Sequence, residues 1–335
     1  MRENLPIRVF HPETAEHFKR RNLLLQTALR EISLPFTIES EYPIVLGTSG
    51  RTFSYCVAAG KADDIVAHAN LWPRVLDDAK AEFPFGLVGN VATSAAFRGQ
   101  GLMHSLFANL KEESQRLGLN GLILWSDLAQ FYQKQGFTSF GRERRYQLAG
   151  EALRSLVQSA NFSAAYLVER RAAGTFLPGE LRKLLSLRPS VTTALRRDPS
   201  EFAQQLTIPA LSVFTAVRRS DREVAAYAVF GKGYDMVGVV HEWGAESPEA
   251  LLATLSAVAK SCTFAEIIVL APGSLASPWH EIFATRSTGI TDHPVGLAWV
   301  NADAAGCATA TKALETCFIW GPEWSRSWGS RRGQN

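Results

Sequence analysis

The chain has 335 residues, 46% of them hydrophobic, and 35 Lys and Arg against 32 Asp and Glu give a formal net charge of +3. That length allows two domains with cores of ordinary size, and the near balance of charge, with no dense Lys/Arg stripe among aromatics, excludes nucleic acid as an expected partner. No apolar run approaches the roughly 20 residues of a membrane span, and the start Met1-Arg2-Glu3-Asn4-Leu5-Pro6 has no signal-peptide core, so a soluble cytoplasmic protein without membrane partners is expected.

Ile7-Arg8-Val9-Phe10 reads as a first strand, and Glu13 to Ile32 carries Ala15, Phe18, Leu25, Ala28, Leu29 and Ile32 on one face of a helix. A turn follows at Gly47-Thr48-Ser49-Gly50. Arg51 to Ala59 and Asp64 to Leu71, joined by Gly60-Lys61-Ala62-Asp63, have the pattern of an antiparallel hairpin. Cys56 falls in its first strand. With Cys262, Cys307 and Cys317 it forms no Cys-x-x-Cys pair, so all four read as reduced thiols and no metal is expected.

Leu87 to Thr93 reads as a buried strand, and Leu102, Met103, Leu106, Phe107, Leu110 and Leu117 recur at helical spacing. Between them, Arg98-Gly99-Gln100-Gly101-Leu102-Met103 is a strand-to-helix turn. Gly99 and Gly101 lack a Cβ, so the backbone is free to take positive φ and bring its N–H groups close to a ligand. Added to the positive end of the helix dipole, those groups suit a phosphate or pyrophosphate, and Arg98 adds a fixed charge. A Walker loop would need Lys and then Ser or Thr after its last Gly, and a dinucleotide fingerprint would need a third Gly where His104 stands; both fail. Gly121 to Trp125 is an apolar run of strand length, and Ser126-Asp127 is placed to cap a short helix that ends at Gly136.

The loop resembles the pyrophosphate loop of the GNAT superfamily of N-acetyltransferases, whose pattern is Arg or Gln, two residues, Gly, one residue, then Gly or Ala. Arg98 and Gly101 match it, and Met103 departs from its last position. Phe131-Tyr132-Gln133-Lys134-Gln135-Gly136-Phe137 is similar to that superfamily's Phe-Tyr-x-Lys-x-Gly-Phe segment, at its usual distance from the loop. The resemblance is specific over about Leu87 to Phe140. It implies an α+β fold with a mixed, mostly antiparallel central sheet flanked by helices, and acetyl-CoA as cosubstrate. It also implies that Val91, Ala92 and Thr93 offer backbone groups to the pantetheine arm, that Arg98, Gly99, Gln100, Gly101, Leu102 and Met103 hold the diphosphate, and that the backbone of Ser126 and Asp127 touches the cofactor. Tyr132 takes the place of the general acid, since a phenol with an ordinary pKa near 10 stays protonated at neutral pH. The plainer readings stay open beside these: Val91 as a core strand residue, Tyr132 as packing between helix and sheet, Ser126 and Asp127 as caps.

Beyond a domain expected to close at Gly150, residues 151–335 faintly repeat the first half. A helix at Glu151 to Ala160 leads to strands at Phe214 to Val217 and Ala225 to Phe230. Val237-Gly238-Val239-Val240 then parallels Val88-Gly89-Asn90-Val91, followed by a helix at Pro248 to Lys260 and a strand at Glu266 to Leu270. Where the glycine loop would stand is Trp243-Gly244-Ala245-Glu246-Ser247-Pro248-Glu249, whose carboxylates would repel a diphosphate. The second half is thus expected to be a degenerate GNAT-like domain. The pair is similar to the tandem halves of mycothiol-synthase-like enzymes and, more, to the enhanced-intracellular-survival acetyltransferases, without the sterol-carrier-like third domain of the latter. The carboxyl terminus is a base in that family; here Ser325 to Asn335 reads instead as a mobile end, and the role is not carried to Asn335.

The function this implies is transfer of an acetyl group from acetyl-CoA to a primary amine, on a small molecule or a peptide, by direct attack in a ternary complex. Two alternatives remain: a CoA-binding regulatory or interaction protein without turnover, and a tRNA-dependent aminoacyl ligase of tandem-GNAT fold. The base is open among His68, the cluster Asp77, Asp78 and Glu82, and His241-Glu242-Trp243, while His104 reads as solvent-facing. A homo-oligomer is also left open.

Overall fold

The computed structural model describes residues 7–30, 35–59, 64–78, 80–158 and 164–320. The expectations for Met1 to Pro6, for Ile32, for the Gly60 to Asp63 turn and for the tail from Ser325 lie outside the described residues. In chain order the elements are β1 (Ile7–Phe10), α1 (Ala15–Leu29), α2 (Ile38–Glu41), β2 (Ser54–Ala59), β3 (Asp64–Asp78), β4 (Glu82–Thr93), α3 (Leu102–Arg116), β5 (Gly121–Leu124), α4 (Ala129–Gln133) and β6 (Thr138–Phe140). Next come β7 (Glu143–Ala149), α5 (Gly150–Gln158), β8 (Tyr166–Arg171), α6 (Pro178–Ser186), β9 (Thr193–Leu195), α7 (Pro199–Gln205), β10 (Ser212–Arg218), β11 (Val224–Phe230) and β12 (Val239–Ala245). The chain continues through α8 (Pro248–Ser261), β13 (Glu266–Pro272), α9 (Trp279–Ala284), β14 (Gly289–His293), β15 (Gly296–Val300), α10 (Cys307–Glu315) and β16 (Cys317–Phe318). The fold is mixed α+β, with two mostly antiparallel sheets flanked by helices.

Contacts divide the chain into two compact units. One comprises the described residues up to Ser139 with Gly296–Lys312, the other Phe140–Val295 with the described residues from Ala313 on. The division read from the sequence at Gly150 differs from this in two strands. β7 lies in the second unit's sheet, antiparallel to β13, and β15 lies in the first unit's sheet, antiparallel to β5. β7 and β15 are thus each paired in a sheet built mainly from the other half of the sequence, a pairing set by long-range burial that no local pattern encodes.

In the first unit the strand order is β1-β2-β3-β4-β5-β15-β6, with β4 and β5 parallel. Leu102, Leu106, Phe107 and Leu110 put one face of α3 into a core with Leu71, Val88, Leu122, Phe137 and Leu297. α1 starts on the side chain of Thr14, which accepts from the His17 N–H, and buries Arg21, Leu24 and Leu25; Ala15, expected on the inner face, is exposed. β3 and β4 extend well beyond the predicted ends at Leu71 and Leu87. Pro73 and Pro84 lie inside these extensions, where β2 covers β3 only up to Asn70 and β5 pairs with β4 only at Gly86 and Leu87. Pro84 therefore sits where the edge of β4 toward β5 has no ladder to interrupt.

In the second unit the order is β14-β7-β13-β12-β11-β10-β8. The run β10, β11, β12, α8, β13 repeats β2, β3, β4, α3, β5 in order and in strand direction, including the parallel step across the helix. The expected strand at Val237 to Val240 is shifted: Gly238 takes φ 77° and β12 begins at Val239. The turn before α8 is closed. A Cβ on Gly244 would lie 2.6 Å from the Leu187 carbonyl, the Ala245 N–H donates to that carbonyl, and the Glu246 carboxylate is paired with Lys183 and Arg218.

Candidate active site

The site begins with a fault in the β3–β4 ladder. His68 pairs with Ala92 and Asn70 with Gly89, so β4 carries one residue more than β3 between these points. The bulge is absorbed by Asn90, whose φ is 49°. On the other edge of β4, pairing with β5 is confined to Gly86–Leu122 and Leu87–Ile123. The two strands separate beyond that point, and Val91, Ala92 and Thr93 line a cavity of ≈ 600 Å³, a size ordinary for a ligand site.

The loop lies at the end of that opening. Gly99 and Gly101 have φ of 75° and 77°, and a Cβ built on either meets nothing within 4 Å. Gly101 is the N-cap of α3 and supplies no side-chain cap, so the first-turn N–H groups are left to a ligand. Arg98 is exposed beside them, its Nε donating to the Thr93 carbonyl at 3.4 Å. Convergent amides, the helix dipole and a guanidinium give this end of the cavity the chemistry that suits an anion. Met103 does not block it: its side chain is half-buried and packs against the core of α3.

Tyr132 reaches the same cavity from α4. It is 5% exposed, its ring set edge-on to Phe107, Phe131 and Phe137. Burial pushes its pKa up to about 12, partly offset by a hydrogen bond with the Ser126 hydroxyl. The helix ends as expected, with Gly136 at φ 82° and the Phe137 N–H donating to the Tyr132 carbonyl. It does not start as expected: the N-cap is Leu128, and the Ser126 hydroxyl accepts from the Leu128 N–H at 3.1 Å. Lys111 of α3 ties down the end of α4, donating to the Gln135 carbonyl at 2.5 Å with its ammonium 5.1 Å from the Trp299 ring. Lys111→Met is expected to cost about 1 kcal/mol in urea denaturation, through the lost bond and the lost cation–π contact.

Of the residues singled out from sequence, Val91, Ala92, Thr93, Arg98, Gly99, Gly101, Leu102, Met103 and Tyr132 line this one cavity; Gln100, Ser126 and Asp127 do not. Gln100 turns back to the Ala96 carbonyl. Ala28 and Leu29 of α1, Phe97, Leu128, Phe131 and Gln135 complete the lining, as does His104, which is exposed and bonded to the Gln135 side chain. The Phe-Tyr segment signalled Phe131; nothing local signalled Ala28 or Leu29, brought here by tertiary packing.

The candidate bases fare differently. Asp77 and Glu82 face each other at the far end of the β3–β4 hairpin, and Asp78 accepts from the turn amides of Lys80 and Ala81. β4 spans 12 residues from Glu82 to Thr93, so this cluster is about 36 Å from the loop and outside the chemistry. His241, Glu242 and Trp243, read as a strand end at a cleft, are inside β12 and buried. His241 bonds to the Gly231 carbonyl, Glu242 to Arg197 and Tyr227, and the Trp243 indole donates to the Leu270 carbonyl. A further cavity of ≈ 580 Å³ at the C-terminal end of α3 holds none of the motif residues, and its Glu113 is already bonded by Arg116.

A strand that bulges and parts from its neighbour thus stands beside a glycine turn that opens a helix. Residues 51–140 match the model of the GNAT acetyltransferase domain, so the chain carries such a domain and its class of chemistry is acyl transfer. A search of curated protein sequences returns no match. Among solved structures, the chain is similar to a GCN5-related N-acetyltransferase from Kribbella flavida, at 16% identity and a TM-score of 0.62 over 92% of this chain and 74% of that one. It is also similar to Eis1 from Mycobacterium abscessus (14%, TM-score 0.55, 91% of this chain and 76% of that one). A third is Saccharomyces cerevisiae N-myristoyltransferase with bound myristoyl-CoA (10%, TM-score 0.55, 91% and 88%). At these identities the likeness is one of fold. Among the described residues no helix is long and apolar enough to cross a membrane.

Proposed function

We propose that the chain transfers an acetyl group from acetyl-CoA to a primary amine, in a ternary complex, within the first unit. The observation that carries this reading is the meeting of three features in one cavity: the open β4 edge, the uncapped α3 turn with Arg98, and the buried phenol of Tyr132. The diphosphate of CoA sits on the α3 amides and the pantetheine arm runs along Val91, Ala92 and Thr93 as an added strand would. The neutral amine nitrogen attacks the thioester carbon, forming C–N while the carbonyl π pair moves to oxygen. A β4 amide stabilises that oxyanion. Collapse re-forms C=O and breaks C–S; nitrogen loses a proton and sulfur gains one, with Tyr132 donating toward the departing thiolate. The second unit, a degenerate repeat with its turn closed at Gly244, binds no CoA in this reading.

The rival reading, CoA binding without turnover, draws on one observation: among the described residues lining the cavity there is no carboxylate to serve as base. Thiol release from acetyl-CoA over a panel of amines decides between them. Release that depends on an amine is the expected result; stabilisation by CoA in a thermal shift with no release from any amine would favour the rival.

A further inference from the structure

If acyl transfer uses the bulge at Asn90 and Val91, something must hold the bulge open, since Asn90 sits at a positive φ that L side chains resist. Its carbonyl accepts from His68 Nδ1 at 2.8 Å, and its Nδ2 donates to Asn70 Oδ1 at 2.9 Å. Asn70 Nδ2 donates to Ser54 Oγ at 3.2 Å, which also accepts from the Arg21 guanidinium at 2.9 Å. Arg21 in turn donates to the Leu46 carbonyl at 2.6 Å. Arg21, Ser54, His68 and Asn70 have no exposed surface. A buried polar chain therefore runs from α1 through β2 and β3 to the one strained residue of β4.

His68 was a candidate base, and its geometry assigns it other work. A carbonyl only accepts, so Nδ1 carries the hydrogen and the ring is the Nδ1–H tautomer. Nε2 is buried with no hydrogen-bond partner among the described residues. Burial pushes the imidazole down to about 3, and the nearby Arg21 cation acts in the same direction, so the ring stays neutral at working pH and is too weak a base for an ammonium.

We propose that His68 and Asn70 are positioning residues: by bonding the carbonyl and side chain of Asn90 they lock it left-handed, so that β4 from Val91 onward turns its backbone to the thioester carbonyl. The lock rests on the acyl-CoA reading, and it predicts an effect on the acyl group rather than on the carrier. Calorimetry with CoA and acetyl-CoA reads this without turnover. His68→Leu is expected to weaken acetyl-CoA about five- to tenfold while CoA changes by less than about twofold, the effect of one misplaced hydrogen bond. His68→Asn, whose amide nitrogen takes the place of Nδ1, should recover most of the loss. Asn90→Gly, free to take positive φ without either contact, should keep the acetyl-CoA preference and restore it to His68→Leu.

An unchanged ratio in His68→Leu overturns the proposal, as does an equal loss for both ligands, which would mark a merely structural role. Should that variant be recovered unfolded, Asn70→Ala removes the second contact and decides by the same ratio. A wild-type chain that binds neither CoA nor acetyl-CoA would sink the functional reading instead. Nitrogen-15 spectra of the histidines still test the lock in that case, because an Nε2–H tautomer at His68 would eliminate it.

Discussion

Tyr132→Phe is expected to lower kcat for acetyl transfer about a hundredfold while CoA affinity stays within roughly twofold. The substitution removes one oxygen and leaves the ring packed on Phe107 and Phe137, so melting temperature should barely move. Loss of a positioned acid is worth about 10² to 10⁴ in rate, and the lower end applies here for a stated reason. With its pKa pushed up to about 12, the phenol is a weaker acid than an ordinary thiol of pKa about 8.5. Complete transfer of its proton to a free thiolate is uphill, so Tyr132 acts chiefly as a hydrogen-bond donor to the sulfur as C–S breaks. The proton that ends on sulfur is made up from the attacking nitrogen. The same shift fixes the pH profile. The neutral phenol persists as pH rises until about 12, so kcat/KM should climb as the amine deprotonates, with no falling limb from this group below that value. A falling limb below about pH 10 that vanishes in Tyr132→Phe would show a phenol far more acidic than its burial allows. A variant with unchanged kcat would remove Tyr132 from the mechanism.

The parts of the site legible in the sequence are those encoded within a short span. Strand, glycine turn and helix follow one another from Leu87 to Leu117, and the Phe-Tyr segment comes next, so local periodicity and two spaced motifs placed most of the cavity lining. What escaped depends on contacts made across the chain. The exchange of β7 and β15 leaves no local trace, since either strand would read the same in either sheet. β3 and β4 run past the ends read at Leu71 and Leu87, which sets Asp77 and Glu82 far from the loop, and no local pattern marks where a long hairpin's strands stop. Arg21 was hidden for a different reason. A guanidinium is assigned by rule to the outer face of a helix, and here it is buried because Ser54 and Leu46 accept its hydrogens. In β12, Gly238 moved the strand start by two residues, which carried His241 and Glu242 from an expected rim into the core.

Gly101→Val should abolish measurable CoA binding, a loss of about a hundredfold or more by calorimetry, and two effects have to be separated to read it. The first is strain. Gly101 has φ 77°, and a β-branched residue held there costs on the order of 1–3 kcal/mol, lowering stability wherever in the fold the position lies. The second is occupation. A side chain at Gly101 meets no protein atom within 4 Å, so it projects into open space beside the α3 amides, where the proposal seats the diphosphate. Gly118, just past the other end of α3, has φ 67° and equally open surroundings, which makes Gly118→Val the matched control. It should lose a similar amount of stability in urea and keep its affinity for CoA. Arg98→Ala, which removes charge without strain, should weaken CoA about tenfold and flatten the dependence of binding on salt, because one exposed cation no longer faces the phosphates. Equal losses of affinity in Gly101→Val and Gly118→Val would mean that strain transmitted through α3 explains both. The glycine turn would then be a feature of the fold and not the seat of the carrier.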